Sequence, residues 1–161
     1  MNAPDWLTAR PVAHRALHDV ARGVIENTAS AVDAAIARAY AIEVDIQLSS
    51  DGEAMVFHDD TLERLTFAAG RADALTCAEL KAIEMRGTAE RMMTLAELLA
   101  CVAGKVPLVI ELKSRFDGDT AVAARAADIL AAYDGPAALM SFDPDLVAAV
   151  RGLAPHIPRG I

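Results

Sequence analysis

The sequence predicts an α/β protein built on a parallel sheet, and two observations carry that prediction. Short apolar runs alternate with alanine-rich amphipathic stretches from one end of the chain to the other, the rhythm of successive strand and helix units. Two of the apolar runs also contain charged pairs at strand spacing, Glu43-Val44-Asp45 and Glu111-Leu112-Lys113. Alternate residues of a strand share a face, so Glu43 and Asp45 look one way while Ile42, Val44 and Ile46 look the other. In the second run Glu111 and Lys113 oppose Ile110 and Leu112. Neither run is a routine core strand.

Strands are predicted at about 11–14, 41–48, 53–58, 106–113 and 137–141, with a further one beginning near 157. The first helix, about 29–39, starts behind Thr28 as its cap, a residue type whose hydroxyl can take a free N–H of the first turn. Thr76 with Glu79, and Thr94 with Glu97, have the spacing of reciprocal capping boxes. Gly135-Pro136 stops a helix predicted at about 119–133, because proline has no N–H and clashes with a continuing turn. Asp143-Pro144 opens another, with a capping carboxylate ahead of proline at the first helical position. No repeat, low-complexity tract or linker divides the sequence, so residues 1–161 read as a single domain.

The chain is 54% hydrophobic and 24% charged, the composition of a globular domain with a real core. A net charge of -8 opposes association with DNA or an anionic membrane surface. The first ten residues, MNAPDWLTAR, have no basic start followed by an apolar stretch. No later run approaches the roughly 20 apolar residues that span a bilayer. A cytoplasmic protein with a small-molecule partner, and neither nucleic acid nor a membrane segment, is the expectation. Cys77 and Cys101 fall in helical segments without metal-ligand spacing, and read as small buried thiols.

The candidate chemistry collects at strand ends. His14 closes the first strand and is followed by Arg15, and His58 closes the third and is followed by Asp59. In a parallel sheet or barrel the C-terminal strand ends converge on one side, and His14, Glu43, Asp45, His58, Glu111 and Lys113 all occupy such ends. Glu79, Lys81, Glu84 and Arg91 lie instead on helical stretches and are assigned to solvent. Carboxylates held in partly buried strands need a cation, and Glu43, Asp45 and Glu111 suit a hard Mg²⁺ or Ca²⁺ ion. Two histidines beside it could divide general-acid and general-base duties. Arg15 and Lys113 would meet an anion, and phosphate best uses a guanidinium, an ammonium and a divalent metal together. The residues therefore point to metal-assisted phosphoryl transfer or phosphoester cleavage.

The ordered set His14-Arg15, Glu26-Asn27-Thr28, Glu43-Val44-Asp45, Asp51-Gly52, His58-Asp59, Leu62-x-Arg64-x-Thr66, Thr94-Leu95 and Glu111-Leu112-Lys113 resembles the glycerophosphodiester phosphodiesterase family. The resemblance spans essentially the whole chain. It implies a TIM (β/α)8-type barrel enzyme that hydrolyses glycerophosphodiesters to glycerol 3-phosphate and an alcohol with a divalent cation. By motif position it implies His14 and His58 as acid and base, and Glu43, Asp45 and Glu111 as metal ligands. Arg15 and Lys113 would contact phosphate, with Glu26 and Asn27 shaping the site. Attack by the neighbouring glycerol hydroxyl and direct attack by water both remain open, as does which histidine is the acid.

Two departures accompany the resemblance. Ala16 stands where the family typically has glycine, which matters if that backbone needs positive φ. The chain is also short for a barrel, which typically takes about 250 residues. Five to six strand-helix units are expected, truncated at the C-terminal end and completed by absent sequence or by another copy of the chain. A related barrel phosphodiesterase acting on lysophospholipid or phosphoinositide head groups is the alternative enzyme. A catalytically impaired metal- or phosphate-binding protein is the alternative outside catalysis.

Overall fold

A computed structural model describes residues 3–161. Five parallel strands form the sheet: β1 (Val12–Ala13), β2 (Ala41–Leu48), β4 (Leu108–Leu112), β5 (Ala137–Met140) and β6 (Arg159–Gly160), in the spatial order β1-β2-β4-β5-β6. The remaining strand, β3 (Ala54–Val56), returns antiparallel along β2. The expected all-parallel set is corrected there: Asp51-Gly52 turns the chain back at once, with Gly52 at a φ of 82°, and no helix intervenes to carry it across. Helices α1 (Ala29–Ala37), α2 (Cys77–Ala82), α3 (Leu95–Val102), α4 (Ala121–Leu130) and α5 (Pro144–Leu153) fill the crossovers. Among the described residues β1 and β6 each have one pairing partner, so the sheet is an open part of a barrel.

Strand parity sorts the residues as the alternation requires. Ile42, Val44 and Ile46 of β2, with Leu108, Ile110 and Leu112 of β4, are at most 1% exposed and pack in a core with α1, α3 and α4. A second cluster, built on Met55, Phe57, Leu62, Leu80, Met85 and Met92, anchors the long segment after β3. The opposite face of β2 and β4 carries Glu43, Asp45 and Glu111. On the same face, Val109, Ala138 and Met140, the last in register with Glu111, line an apolar cavity of about 1170 Å³ together with Leu7, Val147 and Ile161.

Both predicted capping boxes form, Thr76 with Glu79 and Thr94 with Glu97, and Asp143 accepts a hydrogen bond from the Asp145 N–H at 2.9 Å. Thr28 does not cap α1. Its hydroxyl donates to the Ile25 carbonyl at 2.6 Å, and the helix is capped from a distance by Glu90, which accepts from the Ser30 N–H at 2.9 Å. Cys77 is half-buried against the second cluster and Cys101 is exposed, so neither is the fully buried thiol expected: Cys77 stands at the first turn of its short helix, and Cys101 lies off the apolar stripe of α3. No helix among the described residues is long and apolar enough to cross a membrane.

The backbone at Ala16 answers the question its sequence raises. Arg15 and Ala16 have φ of 54° and 61°, left-handed conformations in which a Cβ costs about 1–2 kcal/mol. Ala16 is also 2% exposed, so its buried methyl returns about 0.8 kcal/mol, and glycine there would lose about 0.5–1 kcal/mol of chain entropy. These terms nearly cancel. Ala16→Gly should therefore shift stability by less than about 1 kcal/mol in urea unfolding, whereas Ala16→Val, a β-branched residue forced into a left-handed buried position, should cost about 2–4 kcal/mol. Equal stabilities for the two variants would show that this backbone relaxes freely.

Candidate active site

The register of β2 against β4 assembles the carboxylates. Asp45 lies directly beside Glu111, and Glu43 sits two residues earlier on the same face of β2. One carboxylate oxygen from each of Glu43, Asp45 and Glu111 lies within 4.8 Å of the others, and all three residues are buried. Glu43 Oε1 and Asp45 Oδ1 have no hydrogen-bond partner, and neither does Oδ1 of the buried Asn27 beside them. Buried oxygens without partners are costly, and an oxygen-only donor set of this kind fits a hard divalent cation. The residues present could therefore hold a metal.

Two cations of the protein border the trio. Lys113 Nζ donates to Glu111 Oε1 at 2.9 Å and lies 3.6 Å from Asp45 Oδ1. Arg15 Nε lies 3.8 Å from Asp45 Oδ2, while its Nη1 donates to Glu26 at 2.9 Å. The loop carrying Arg15 is fastened to β2 by its own backbone: the Arg15 N–H donates to Glu43 Oε2 at 2.8 Å and the Ala16 N–H to the Glu43 carbonyl at 2.9 Å. Asn27 Nδ2 donates to Asp45 Oδ2 at 3.0 Å, so Glu26 and Asn27, expected to shape the site, are buried in its wall.

Burial, reinforced by the neighbouring Asp45 and Glu111 charges, pushes the Glu43 carboxyl from 4.5 up to about 7, against the opposing pull of the Arg15 N–H. Because the folded value exceeds the unfolded one, the stability this group contributes is full below pH 4.5 and is lost as pH rises through 7. Glu26 and Asp59 behave oppositely. Hydrogen bonds from Arg64 and Arg15 outweigh burial and hold Glu26 at about 2, and Arg64 likewise holds Asp59 at about 2. Their contribution is present above their ordinary values of 4.5 and 3.8 and fades as pH falls toward 2. Thermal melts in chelator should accordingly show greatest stability near pH 4–5 and a decline toward pH 8. A flat profile between pH 5 and pH 8 would mean that Glu43 is ionised throughout.

The histidines reach this face by different routes. His14 follows β1, exposed, with Nε2 4.0 Å from Glu43 Oε2. His58 is placed by the antiparallel return of β3, not by the end of a parallel strand as expected. The Phe57 N–H donates to the Asp45 carbonyl at 3.0 Å, which sets His58 close to the level of Asp45 on β2. Its Nδ1 lies 2.6 Å from Asp59 Oδ1, leaving Nε2 as the nitrogen free to exchange a proton. His18 lies farther along the loop that bears His14, its N–H donating to the Ala16 carbonyl at 3.1 Å, and His156 stands beside Trp6 and Pro158. A polar cavity of about 470 Å³ adjoins Lys113 and is lined also by Gln47, Ser49, Asp60, Ser114 and Arg115.

Asp59 and Arg64 were left without a role by the sequence. Asp59 holds His58, and Arg64 binds Asp59 and Glu26 at once. The available signal was the adjacency of His58 and Asp59 and the spacing to Arg64; the long-range pairing with Glu26 had none.

Residues 14–161 match the family described as the Glycerophosphoryl diester phosphodiesterase family. A Glycerophosphodiester phosphodiesterase of Caldanaerobacter subterraneus subsp. tengcongensis is 29% identical over 160 residues, taking in 93% of this chain and 65% of that protein. Among solved structures, an Oleispira antarctica phosphodiesterase in complex with the product sn-glycerol-3-phosphate is similar at a TM-score of 0.85 and 27% identity, over 94% of this chain and 64% of that one. A glycerophosphodiester phosphodiesterase from Agrobacterium tumefaciens is similar at a TM-score of 0.80 and 25% identity, over 93% of this chain and 65% of that one. The chain thus spans a little under two thirds of the length of these relatives.

Proposed function

This chain belongs to the glycerophosphoryl diester phosphodiesterase family, and from that premise we propose that it hydrolyses glycerophosphodiesters to glycerol 3-phosphate and an alcohol, with a divalent cation and two histidines. The observation that carries this reading is the buried trio Glu43, Asp45 and Glu111, two of whose members have an oxygen with no hydrogen bond. A divalent cation bound there would supply concentrated positive charge against the phosphate oxygens. Lys113 and Arg15 add fixed charge on the same side, which favours the extra negative charge that develops at phosphorus during displacement.

The histidines would move the protons. One accepts the proton of the attacking oxygen, whether from the neighbouring glycerol hydroxyl or from water, and the other gives a proton to the departing alcohol as its P–O bond breaks. In the first route a cyclic phosphodiester forms, and water then opens it with the proton transfers reversed. The arrangement of His58, with Nδ1 directed to Asp59, suits Nε2 for either duty. The supporting result is release of glycerol 3-phosphate from glycerophosphocholine or glycerophosphoethanolamine in Mg²⁺ or Ca²⁺, suppressed by EDTA. Tight metal binding without turnover would favour instead a binding protein that has lost its chemistry.

A second reading has its own observation. Phe116 and Phe142 are 66% and 64% exposed on the loops after β4 and β5, and those loops are tied together by a hydrogen bond from Ser114 to Asp143. Apolar side chains beside the site favour an alcohol bearing an acyl chain, as in a lysophospholipid. Faster turnover of lysophosphatidylcholine than of glycerophosphocholine, lost in Phe116→Ser, would establish it.

A further inference from the structure

Arg64 stands in the segment after β3, and its guanidinium meets two carboxylates from distant parts of the chain. Nη1 and Nη2 donate to Glu26 at 2.9 and 2.7 Å, and Nε and Nη2 donate to Asp59 at 2.5 and 2.8 Å. A planar fork can bind two carboxylates in this way, whereas an ammonium cannot. Each carboxylate then continues to a residue of the site: Asp59 Oδ1 lies 2.6 Å from His58 Nδ1, and Glu26 accepts from Arg15 Nη1 at 2.9 Å. One continuous chain of charged contacts thus runs from His58 through Asp59, Arg64, Glu26 and Arg15 toward Asp45.

We propose that Arg64 is a positioning residue, acting through Asp59 to fix the ring and tautomer of His58 and through Glu26 to fix the loop that bears His14 and Arg15. The assignment rests on the reading of those two histidines as the acid and base. Its effect on turnover separates it from a purely stabilising role. Arg64 also helps the fold by keeping Glu26 and Asp59 ionised, a contribution that solvent limits because its side chain is 45% exposed. A carboxylate that orients a histidine, in contrast, typically affects function about 10–100-fold when disturbed. Asp59 without its guanidinium can rotate away from Nδ1, and His58 then divides between tautomers, only one of which presents Nε2 in the protonation state that the reaction uses. Glu26, 7% exposed, would keep only Arg15 as partner and pull that guanidinium from Asp45.

The test uses the whole chain with saturating divalent metal and glycerophosphocholine, and compares Arg64→Gln, Arg64→Lys and Asp59→Asn. Arg64→Gln is expected to lower kcat about 10–100-fold with KM changed less than about threefold, assayed well below its unfolding temperature, which should fall as Glu26 and Asp59 lose a partner. Arg64→Lys should restore only part of the rate, and Arg64→Gln combined with Asp59→Asn should lose little beyond Asp59→Asn alone, because both act through one contact. In ¹⁵N spectra the His58 ring should change from a single tautomer, with its proton on the Nδ1 that faces Asp59, to a mixture in Arg64→Gln. An unchanged kcat, a raised KM at constant kcat, or an unaltered tautomer would each overturn the proposal. If the parent chain turns over no glycerophosphodiester, the functional reading fails, and the tautomer measurement by itself still decides the positioning claim.

Discussion

Replacement of His58 by alanine should reduce kcat for a glycerophosphodiester about 10²–10⁴-fold, the usual worth of a positioned acid or base. The loss should fall on kcat and kcat/KM together, because a proton-transfer group acts in the transition state and not in the ground-state complex. His14→Ala should lose rate on the same scale, while His18→Ala and His156→Ala keep near-parent rates as controls. The fold should tolerate these changes. His14 is 70% exposed at its side chain, and His58 contributes one side-chain hydrogen bond, to Asp59. Near-parent turnover by either His14→Ala or His58→Ala would refute the acid/base assignment for that residue.

The second large effect concerns the carboxylate trio. Glu111→Gln should weaken Mg²⁺ or Ca²⁺ binding on the order of 100-fold or more, since loss even of groups outside the ligand set costs about 10–100-fold. Calorimetry gives the affinity, and the shift in unfolding temperature gives an independent reading, because a ligand at about 100 times its Kd adds about 2.7 kcal/mol to stability. Proton competition should be visible in the same experiment. Glu43 at about 7 must lose its proton to bind a cation, so affinity should fall about tenfold between pH 8 and pH 6. Glu111→Gln also frees Lys113 from its 2.9 Å contact, and Lys113→Met distinguishes that effect: it should leave metal affinity within a few-fold while impairing turnover. Parent-like metal affinity in Glu111→Gln would remove the trio as the metal site.

Much of this was legible in the chain itself. Alternation placed Glu43, Asp45 and Glu111 opposite the apolar residues of the same strands, since a strand's period of two admits no other outcome. The two capping boxes and the Asp143-Pro144 helix start are equally local, and each formed as written in the sequence. The motifs in order were sufficient for the family. Where local chemistry offered alternatives the sequence misled: Thr28 can bond its own upstream carbonyl, so the cap of α1 went to Glu90, about 60 residues away in sequence. His58 was read at the end of a parallel strand, because a strand's pattern carries no information on the direction of its neighbour.

Residue periodicity and spacing thus determined which side chains face the core, which face the site, and what chemistry the site residues have in common. The tertiary structure alone decided their partners. It set Asp45 against Glu111 through the β2 and β4 register, folded β3 back so that His58 stands at the level of Asp45, held Ala16 in a left-handed turn, and joined Glu26 to Asp59 through Arg64. Those pairings connect positions tens of residues apart, and they depend on strand order and on the path of the chain between elements. Neither is encoded in any local pattern of hydrophobic and charged residues; both follow only when the whole sheet and its helices pack at once.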